Sequence, residues 1–281
     1  MEIEEKGKKK KGSKVKKMIF IIIGVIVLLL LYIRFIGTQG FIVKEYGLHY
    51  EKLPESFNGI KIAHLSDIHY GTVGADKLKK IVNEVNIMKP DIVVFTGDLY
   101  DEFTTLTDGN KQELIEILGS IETKLGKYAV SGNHDYSNLG YQELVEKAGF
   151  NYLHNNSKII YNDGATPIEI VGYPSAREDE PDYSINLTDN FKIALIHEPD
   201  EMEKLVDKDF QLVLAGHSHG GQVRLPFIGA VVTPSGSKKY YDNYYKVGST
   251  DLYISSGLGE SEYKLRFFNR PSFNFYRIYN K

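Results

Sequence analysis

Five short polar blocks recur along the chain, and each one follows directly on an apolar run of strand-forming residues. Such a placement constrains the fold, because loops that follow parallel strands converge on one edge of a sheet, where a rigid scaffold holds their side chains together. We therefore expect a layered α/β architecture that gathers these blocks at one edge. The blocks are Asp67-Ile68-His69, Gly97-Asp98, Gly132-Asn133-His134-Asp135, His197 and Gly216-His217-Ser218-His219.

Strand-like and helix-like segments alternate from residue 60 onward, which is typical of layered α/β proteins. Apolar residues at helical spacing predict helices over 78–85 and 114–125, and Gly126 fits the C-cap of the second one. A further helix is predicted around 141–148, and Asn162-Asp163-Gly164 predicts a hairpin turn. Apolar and β-branched runs predict strands at 60–65, 92–96, 127–130, 192–196, 211–215, 252–255 and 272–278.

The polar blocks offer the oxygen and imidazole ligands that divalent metal ions bind. Two Asp, one Asn and four His are what a pair of ions about 3.5–4 Å apart needs. Taken singly, an Asp or His after a strand is more often a turn former than a ligand, but five of the eight histidines lie in these blocks. The chain has no cysteine, which excludes disulfides, thiolate ligands and a cysteine nucleophile. The donors are hard to borderline, and Mn²⁺, Fe²⁺ and Zn²⁺ all fit them.

The ordered blocks resemble those of the calcineurin-like metallophosphoesterase superfamily, and the resemblance extends from Lys61 to the C-terminus. Two stretches are similar to a bacterial branch of membrane-linked phosphodiesterases described as UDP-2,3-diacylglucosamine pyrophosphatase-like. They are Gly-His-Ser-His-Gly-Gly-Gln-Val-Arg-Leu-Pro at 216–226 and Phe-Phe-Asn-Arg-Pro at 267–271. The resemblance implies a four-layer α/β/β/α sandwich of two mixed β-sheets, preceded by one N-terminal transmembrane helix.

The resemblance also implies how the ligands divide between two divalent metal ions. Asp98 would bridge the two ions, as a carboxylate with two oxygens can, and a hydroxide between two cations is a strong nucleophile at neutral pH. The ligands of one ion would be Asp67, His69, Asp98 and His219. The ligands of the other would be Asp98, Asn133, His197 and His217.

Four further side chains are candidates for catalysis or substrate binding. In the superfamily the histidine after the liganding Asn acts near the leaving oxygen, so the resemblance assigns His134 as a general acid or charge stabiliser. Asp101 resembles the carboxylate that pairs with that histidine in related phosphatases, and a plain surface acid is the alternative. Glu102-Phe103 follow it where protein phosphatases have Arg-Gly, which argues against a phosphoprotein phosphatase. Arg224 and Arg177 would bind substrate phosphate with their guanidinium groups, unless they are solvated surface residues.

The N-terminus predicts a membrane anchor. Eight lysines before residue 18 precede an apolar run at 18–36, and a membrane-spanning helix needs about 20 apolar residues. A cleaved signal peptide is the alternative, but its apolar region would be shorter, and Gly-Thr-Gln-Gly at 37–40 is a poor cleavage site. The positive-inside rule keeps the lysines in the cytoplasm and sends the rest outward. We expect a solvated, disordered basic tail at 1–17, the anchor at 18–36, a linker with the first strand at 37–59 and a metallophosphoesterase domain at 60–281.

These expectations define a membrane-anchored enzyme whose metal-bound hydroxide attacks a phosphodiester or pyrophosphate bond in a small-molecule or lipid-linked substrate. A phosphomonoesterase or nucleotidase of the same superfamily is one alternative, and a metal-binding scaffold without activity is another. A net charge of −3 gives no sign of nucleic-acid binding. A nucleotide-sugar lipid precursor would be cytoplasmic, whereas the predicted topology places the site outside, so a cell-envelope substrate fits equally well. The oligomeric state is left open.

Overall fold

The computed structural model describes residues 2–101, 104, 106–137 and 140–281, with only the backbone of 2–13 and 137. These described residues form four α-helices and fourteen β-strands. The helices are α1 (Glu2–Phe35), α2 (Ala75–Met88), α3 (Asp108–Gly119) and α4 (Tyr141–Lys147). The strands are β1 (Ile42–Tyr50), β2 (Ile60–Leu65), β3 (Ile92–Phe95), β4 (Lys127–Ala129), β5 (Phe150–Tyr152), β6 (Asn156–Ile160), β7 (Ile168–Gly172), β8 (Phe191–Leu195), β9 (Leu212–Ala215), β10 (Arg224–Leu225), β11 (Gly229–Ala230), β12 (Tyr244–Val247), β13 (Thr250–Ile254) and β14 (Ser272–Asn280).

Two six-stranded mixed sheets carry the fold. The first has the order β1–β14–β2–β3–β4–β5, and the second has the order β12–β13–β9–β8–β7–β6. Within each sheet the inner strands that lead to the predicted ligand blocks run parallel to one another, namely β2–β3–β4 and β8–β9. The two remaining strands, β10 and β11, form a separate antiparallel hairpin.

The sheets stack face to face over an apolar core. Ile62 and Val94 of the first sheet pack in this core with Ile193 and Leu212 of the second. The outer face of the first sheet packs against α2, α3 and α4 through a second apolar cluster. A third cluster covers the outer face of the second sheet, where short 3₁₀ segments supply Met202 and neighbouring residues. The predicted four-layer α/β/β/α sandwich is therefore confirmed, with 3₁₀ turns rather than long helices in the outer layer beside the second sheet.

One helix of the described chain, over Lys14–Phe35, is long and apolar enough to cross a membrane, and none of its most apolar window is buried in the protein. The helical backbone of α1 begins at Glu2, so the expectation of a disordered tail is wrong for these residues. Lysine has a good helix propensity, and a helix that already exists extends without a new nucleation step.

The predicted strands and two of the three helices lie within a few residues of their expected bounds. The expected end of α3 is wrong, because the helix stops at Gly119 and its C-cap is Ser120 rather than Gly126. The Ser120 hydroxyl donates to the carbonyl of Ile117 at 2.7 Å, which closes the helix there. Asn162-Asp163-Gly164 lies in the connection between the antiparallel strands β6 and β7, as predicted.

Candidate metal centre

The predicted metal ligands lie on loops that follow parallel strands, and both sheets present these loops at the same edge. The loops after β2, β3, β4, β8 and β9 carry, in this order, Asp67 with His69, Asp98, Asn133, His197, and His217 with His219. Asn133 is half-buried and the other six are buried. The structure brings all seven together, whereas their binding of metal stays a prediction.

The backbone of this edge is strained where the ligands lie. Five predicted ligands have a positive φ although none is glycine, and each such residue is held at a free-energy cost of order 1–3 kcal/mol. Conformations of this kind persist where the surrounding structure imposes them, and they concentrate at functional sites. The five are Asp67 (φ 50°), His69 (φ 46°), Asp98 (φ 58°), His217 (φ 64°) and His219 (φ 48°).

Glycines let the loops after β3 and β4 approach each other. A Cβ atom on Gly97, which has φ +91°, would lie 2.2 Å from the backbone nitrogen of Gly132. A Cβ atom on Gly132 would lie 2.3 Å from Oδ1 of Asp98 and 2.7 Å from the ring of His197. No side chain fits at either position, so the Gly-Asp and Gly-Asn pairs of the sequence are what allow Asp98 and Asn133 to share one site.

The first group of ligand atoms consists of Asp67, His69 and His219, all within 4.8 Å of one another. Nε2 of His69 lies 3.0 Å from Nε2 of His219, which in turn lies 3.5 Å from Oδ1 of Asp67. Three donor atoms that face one another this closely are a natural cradle for a cation. The backbone nitrogen of His217 donates to the carboxylate of Asp67 and fixes its orientation.

The second group consists of Asp98, His197 and His217. Nδ1 of His197 lies 2.6 Å from the carbonyl of Thr96, and Nε2 of His217 lies 2.7 Å from the carbonyl of Ser235. A carbonyl only accepts, so both of these ring nitrogens carry the proton. The atoms left to bind metal are therefore Nε2 of His197, once that nitrogen carries no proton, and Nδ1 of His217, which is how metal-binding histidines are usually oriented.

Two buried polar atoms of the predicted ligands fit a metal ion. Nε2 of His197 lies 3.2 Å from Oδ2 of Asp98 but makes no hydrogen bond within the described residues, so in the neutral ring a lone pair faces a carboxylate oxygen. Oδ1 of Asn133 is also buried without a hydrogen-bond partner in the described part of the chain. Unpaired buried acceptors are unfavourable, and a bound divalent cation is one way to satisfy such atoms.

The pKa values of Asp98 and His197 shift in opposite directions, as expected for a buried carboxylate that attracts positive charge. Burial alone would raise the pKa of Asp98, but His197, His69 and His134 together hold it well below its usual range. Burial would lower the pKa of His197, yet the facing Asp98 raises it well above the ordinary value. The pair holds a proton in the absence of any other cation, and a metal ion would take the place of that proton.

The remaining imidazoles are held in the neutral form that binds metal. Burial lowers the pKa of His69 and of His217 to about 4 each, and it lowers the pKa of His219 well below its usual range. Burial raises the pKa of Asp67 to about 6. Neutral rings next to an available carboxylate are the donor set that Mn²⁺, Fe²⁺ and Zn²⁺ accept.

Asp135 is a buried member of the site to which the sequence alone assigned no role. Its carboxylate accepts backbone N–H bonds from Asp98, Leu99 and Gly132, each at 2.8 Å. It therefore clamps the loops after β3 and β4 together. Its position directly after His134 in the third polar block could have indicated a role at the site. The backbone groups that it contacts, however, depend on the tertiary fold and could not be predicted.

Arg266 is a second residue that sequence reasoning missed. Its side chain is fully buried and donates to the carbonyls of Gly257 and Gly259 at 3.2 and 2.6 Å. It also lies 3.4 Å from Glu260 and 3.4 Å from Nδ1 of His219. The stretch 267–271, singled out in the sequence, begins directly after it, and nothing local indicated that Arg266 would be buried beside the metal centre.

His134 lies at the open side of the centre. Its Nε2 is 3.9 Å from Oδ2 of Asp98, and its ring belongs to a third group with His69 and Asp98 that is compact enough for a metal ion. Among the described residues, no hydrogen bond or ion pair joins His134 to Asp101. Asp101 accepts from the hydroxyl of Thr104 at 3.3 Å, and Glu102 and Phe103 lie outside the described residues.

A cavity of about 640 Å³ opens over the centre. Its lining includes Asn133, His134 and His217 of the centre, and it also includes Arg177. Arg224 is not part of that lining, because its guanidinium donates to the carbonyl of Gly220 at 2.9 Å and pairs with Asp242 at 2.5 Å. The structure thus brings one of the two predicted phosphate-binding arginines to the cavity and leaves the other outside it.

Two stacked mixed sheets with an aspartate–histidine centre at their common edge define a class of α/β/β/α proteins that are built to hold divalent metal. The sequence model of the calcineurin-like phosphoesterase family matches residues 60–221. The chain is 34% identical over 257 residues to the uncharacterized metallophosphoesterase YkuE of Bacillus subtilis, with 88% of each chain covered. This chain therefore belongs to the calcineurin-like phosphoesterase family.

Two further relatives bear on what the chain resembles. It is 30% identical to the phosphodiesterase YaeI of Escherichia coli, with 75% of this chain and 79% of that protein covered. It is 33% identical to a transmembrane protein with metallophosphoesterase domain of Danio rerio, with 74% of this chain covered. The match covers 51% of the zebrafish protein, so the chain spans about half of that relative's length.

Proposed function

We propose that this protein is a membrane-anchored phosphodiesterase or pyrophosphatase that holds two divalent metal ions at its centre. The observation that carries the proposal is the second ligand group, where Nε2 of His197 faces Oδ2 of Asp98 at 3.2 Å. Asn133 lines the same cavity as Asp98, and its buried Oδ1 has no hydrogen-bond partner among the described residues. Together with the first group, this makes two adjacent cradles that share the Asp98 region. Divalent ions there would supply Lewis-acid chemistry, which polarises a phosphoryl group and activates water.

The protein's own residues then position the substrate. Arg177, in the lining of the cavity, is the cation that meets a phosphate oxygen of the bound substrate. The half-buried imidazole of His134 lines the cavity beside Asp98, with its Nε2 3.9 Å from Oδ2, where it can donate a proton to the leaving oxygen or stabilise its charge. Asp135 and Arg266 keep the loops in place without reaching the cavity lining.

A phosphodiester or pyrophosphate is preferred over a phosphomonoester as substrate. The name of the E. coli relative, phosphodiesterase YaeI, supports this preference. The cavity, at about 640 Å³, also has room for groups on both sides of a phosphate. The branch resemblance adds nucleotide-diphosphate lipids to the substrates worth testing, and Mn²⁺ is the first metal to supply.

Anchoring is supported by the exposed apolar helix over Lys14–Phe35 and by the transmembrane relative in zebrafish. We place the basic N-terminus in the cytoplasm and the domain at 60–281 outside, following the lysine distribution. A cell-envelope lipid or polymer linkage is then an accessible substrate.

A hydrolysis panel tests this function. The purified full-length chain, with Mn²⁺ added, should hydrolyse bis-p-nitrophenyl phosphate faster than p-nitrophenyl phosphate, and nucleotide-diphosphate sugars should report pyrophosphatase activity. Arg177→Lys should raise KM because a point charge replaces the bidentate fork, whereas the matched variant Arg224→Lys, outside the cavity lining, should leave KM unchanged. A preference for the monoester would contradict the proposal and favour a phosphomonoesterase or nucleotidase.

A further inference from the structure

The hairpin of β10 and β11 exposes an unusual amount of apolar surface. Phe227 at its tip is fully exposed, and the neighbouring Ile228 and Val232 are 72% and 73% exposed. Soluble surfaces rarely expose contiguous large apolar side chains unless they bind something. We call this set the hairpin rim, and it consists of Leu225, Phe227, Ile228, Val231 and Val232.

The hairpin is fastened to the segment that holds the end of α1. The backbone nitrogen of Arg224 donates to the carbonyl of Phe267 at 2.9 Å, and Val223 forms a β-bridge with Phe267. The ring of Phe267 in turn contacts Tyr32 of α1, with ring centroids 6.3 Å apart. The hairpin, this segment and the helix therefore form one continuous surface.

The height of this contact on α1 is informative. The apolar span ends at Phe35, so Tyr32 lies about 4–5 Å inside it at the helical rise of 1.5 Å per residue. The backbone nitrogen of Arg266 also donates to the carbonyl of Ile33, which is buried while its helix neighbours are exposed. Because the segment around Arg266 and Phe267 contacts α1 inside its apolar span, this segment must lie against the membrane if α1 spans it.

The side chains around the contact match a membrane interface. Phe268 and Tyr263 are 68% and 69% exposed; tyrosine favours the headgroup region, and phenylalanine favours the acyl boundary beneath it. Lys264 and Arg270 are exposed in the same segment, where they can meet anionic headgroups. Exposed aromatic and basic side chains thus lie together in this segment, next to the exposed acidic Glu262.

The same hairpin borders the cavity of the metal centre. Val223, Val231 and Val232 line the cavity, and Tyr263 does so from the neighbouring segment. One part of the hairpin region therefore faces the metal centre while its tip faces outward. An acyl chain that leaves the bilayer along this wall would bring its phosphate towards Arg177 and the ligand groups.

We propose that the hairpin rim inserts into the bilayer that α1 spans, so that the cavity opens at the lipid surface and receives a phosphate ester of a membrane lipid. The docking of the rim stands by itself, whereas the lipid substrate rests on the phosphodiesterase function proposed above. The bilayer is the occupant that fits, because the rim is continuous with the end of the one described helix that can span a membrane.

The absence of cysteine gives a direct test of docking. Phe227→Cys in the full-length chain provides a single thiol for an environment-sensitive fluorophore, and the labelled protein is reconstituted in vesicles of phosphatidylcholine and phosphatidylglycerol. Tyr161→Cys is the matched control, since it is also exposed but follows β6 at the edge of the sheet away from the ligand loops. The label at 227 should be quenched several-fold more by doxyl-labelled lipid than by iodide, and the label at 161 should show the reverse.

Accessibility of both labels to iodide alike would overturn the docking proposal. Protection of the label at 227 from iodide and from doxyl lipid alike would also overturn it, because the rim would then be covered by protein, such as a second copy of the chain. Neither readout uses catalysis, so a failure of the proposed function leaves this test decisive.

Activity provides the second measurement. Phe227→Ser with Ile228→Ser alters two residues outside the cavity lining, so hydrolysis of bis-p-nitrophenyl phosphate in detergent should be unchanged. Hydrolysis of a fluorescent phosphatidylglycerol in phosphatidylcholine vesicles should fall roughly tenfold, since interfacial binding scales with buried apolar area. An unchanged rate on vesicles would contradict the proposal. If the wild-type protein hydrolyses neither substrate, the proposed phosphodiesterase function is wrong, but the labelling experiment still tests whether the rim inserts into the bilayer.

Discussion

Asp98 faces more imidazole nitrogens than any other described carboxylate of the centre. Its Oδ2 lies 3.2 Å from His197, 3.6 Å from His69 and 3.9 Å from His134. It is also the carboxylate that belongs to two of the three compact ligand groups. A carboxylate in this position connects the two cradles, which is the geometry that a bridging ligand needs.

Replacement of Asp98 should therefore remove more metal than replacement of a ligand on one side only. Asp98→Ala should lose metal from both cradles, whereas Asn133→Ala removes one neutral donor from one of them. Elemental analysis of the purified variants gives the metal content per chain, and circular dichroism shows that both are folded. Two metal ions per chain in Asp98→Ala would contradict the bridging assignment.

Asp135 should matter to metal binding without touching the metal. In Asp135→Asn, an NH₂ group would face at least one of the three N–H groups that the carboxylate now accepts, and the loops after β3 and β4 would shift. We expect the metal affinity to fall about 10–100-fold, as for other groups that orient ligands. Isothermal titration with Mn²⁺ measures this, with Asp101→Asn as the matched control. Equal affinities in the two variants would show that Asp135 is not a positioning residue.

His134 should act on the leaving group. His134→Ala should keep its metal and lose about 10²–10⁴ in kcat, the usual contribution of general acid–base catalysis. The loss should shrink for p-nitrophenolate esters, whose leaving groups need little protonation. Loss of a metal ion in this variant would instead make His134 a ligand, as its place in a compact group with His69 and Asp98 allows.

The side chains of this centre differ in how far the sequence could predict them. The meeting of the seven predicted ligands at one edge could be predicted because each follows an apolar strand beside a glycine or another donor, whereas their binding of metal stays a prediction. Asp135 and Arg266 were not, since their roles come from backbone groups that the fold brings to them, such as the carbonyl of Gly259. Arg224 was expected at the substrate, but its partner Asp242 is 18 residues away, which no local pattern reveals.

The end of α3 could not be predicted from its local sequence pattern either. Its apolar periodicity continues beyond the helix end, because Ile121 is buried in the same core as Leu118 although it follows the last turn. Periodicity records which residues face the core and does not record where the backbone stops being helical. The strand at 60–65 and α2 were predicted well because turn signals such as Pro90 bound their apolar runs.

Lys44 on β1 of the first sheet makes hydrogen bonds to residues that flank strands of the second sheet. Nζ of Lys44 donates to Oδ1 of Asn243 at 3.0 Å and to the hydroxyl of Ser256 at 2.7 Å, both near strands of the second sheet. Burial, followed by the charges of Arg266 and Arg224, lowers the pKa of Lys44 to about 8. The protonated form is thus less favourable in the folded protein than in the unfolded chain.

This shift predicts a pH-dependent stability. Between pH 8 and the ordinary lysine pKa near 10.5, the unfolded chain binds more protons than the folded one, so the wild type gains stability from this group as the pH rises. Lys44→Met lacks this gain. Its free energy of unfolding, relative to that of the wild type at the same pH, should therefore fall by at most about 3 kcal/mol between pH 7 and pH 10. Urea unfolding in mild detergent measures it, with Lys158→Met on the exposed edge strand β6 as control. A difference that rises with pH would contradict the assignment.

The connection between the helix and the body is short and well packed. A Cβ atom on Gly37 would lie 2.1 Å from the carbonyl oxygen of Arg266, so the chain passes directly over that residue as it leaves α1. β1 then pairs with β14 along its full length, from Ile42 opposite Ser272 to Tyr50 opposite Asn280. The segment 37–59 was predicted as a linker with a strand, and the strand places it within the first sheet. The side of the membrane that the helix end occupies therefore decides where the catalytic domain lies.

The lysine distribution predicts that side. Eight lysines precede the span, whereas the last turn of α1 carries only Arg34, so the positive-inside rule holds the N-terminus in the cytoplasm and exports the domain. Protease added to cells stripped of their outer wall, without lysis, should cleave the domain, while a cytoplasmic marker protein stays intact. Replacing the lysines between residues 6 and 17 by glutamine should weaken this orientation and protect part of the population. Complete protection of the wild type until the cells are broken would place the domain inside, where a cytoplasmic nucleotide-linked lipid becomes the better substrate.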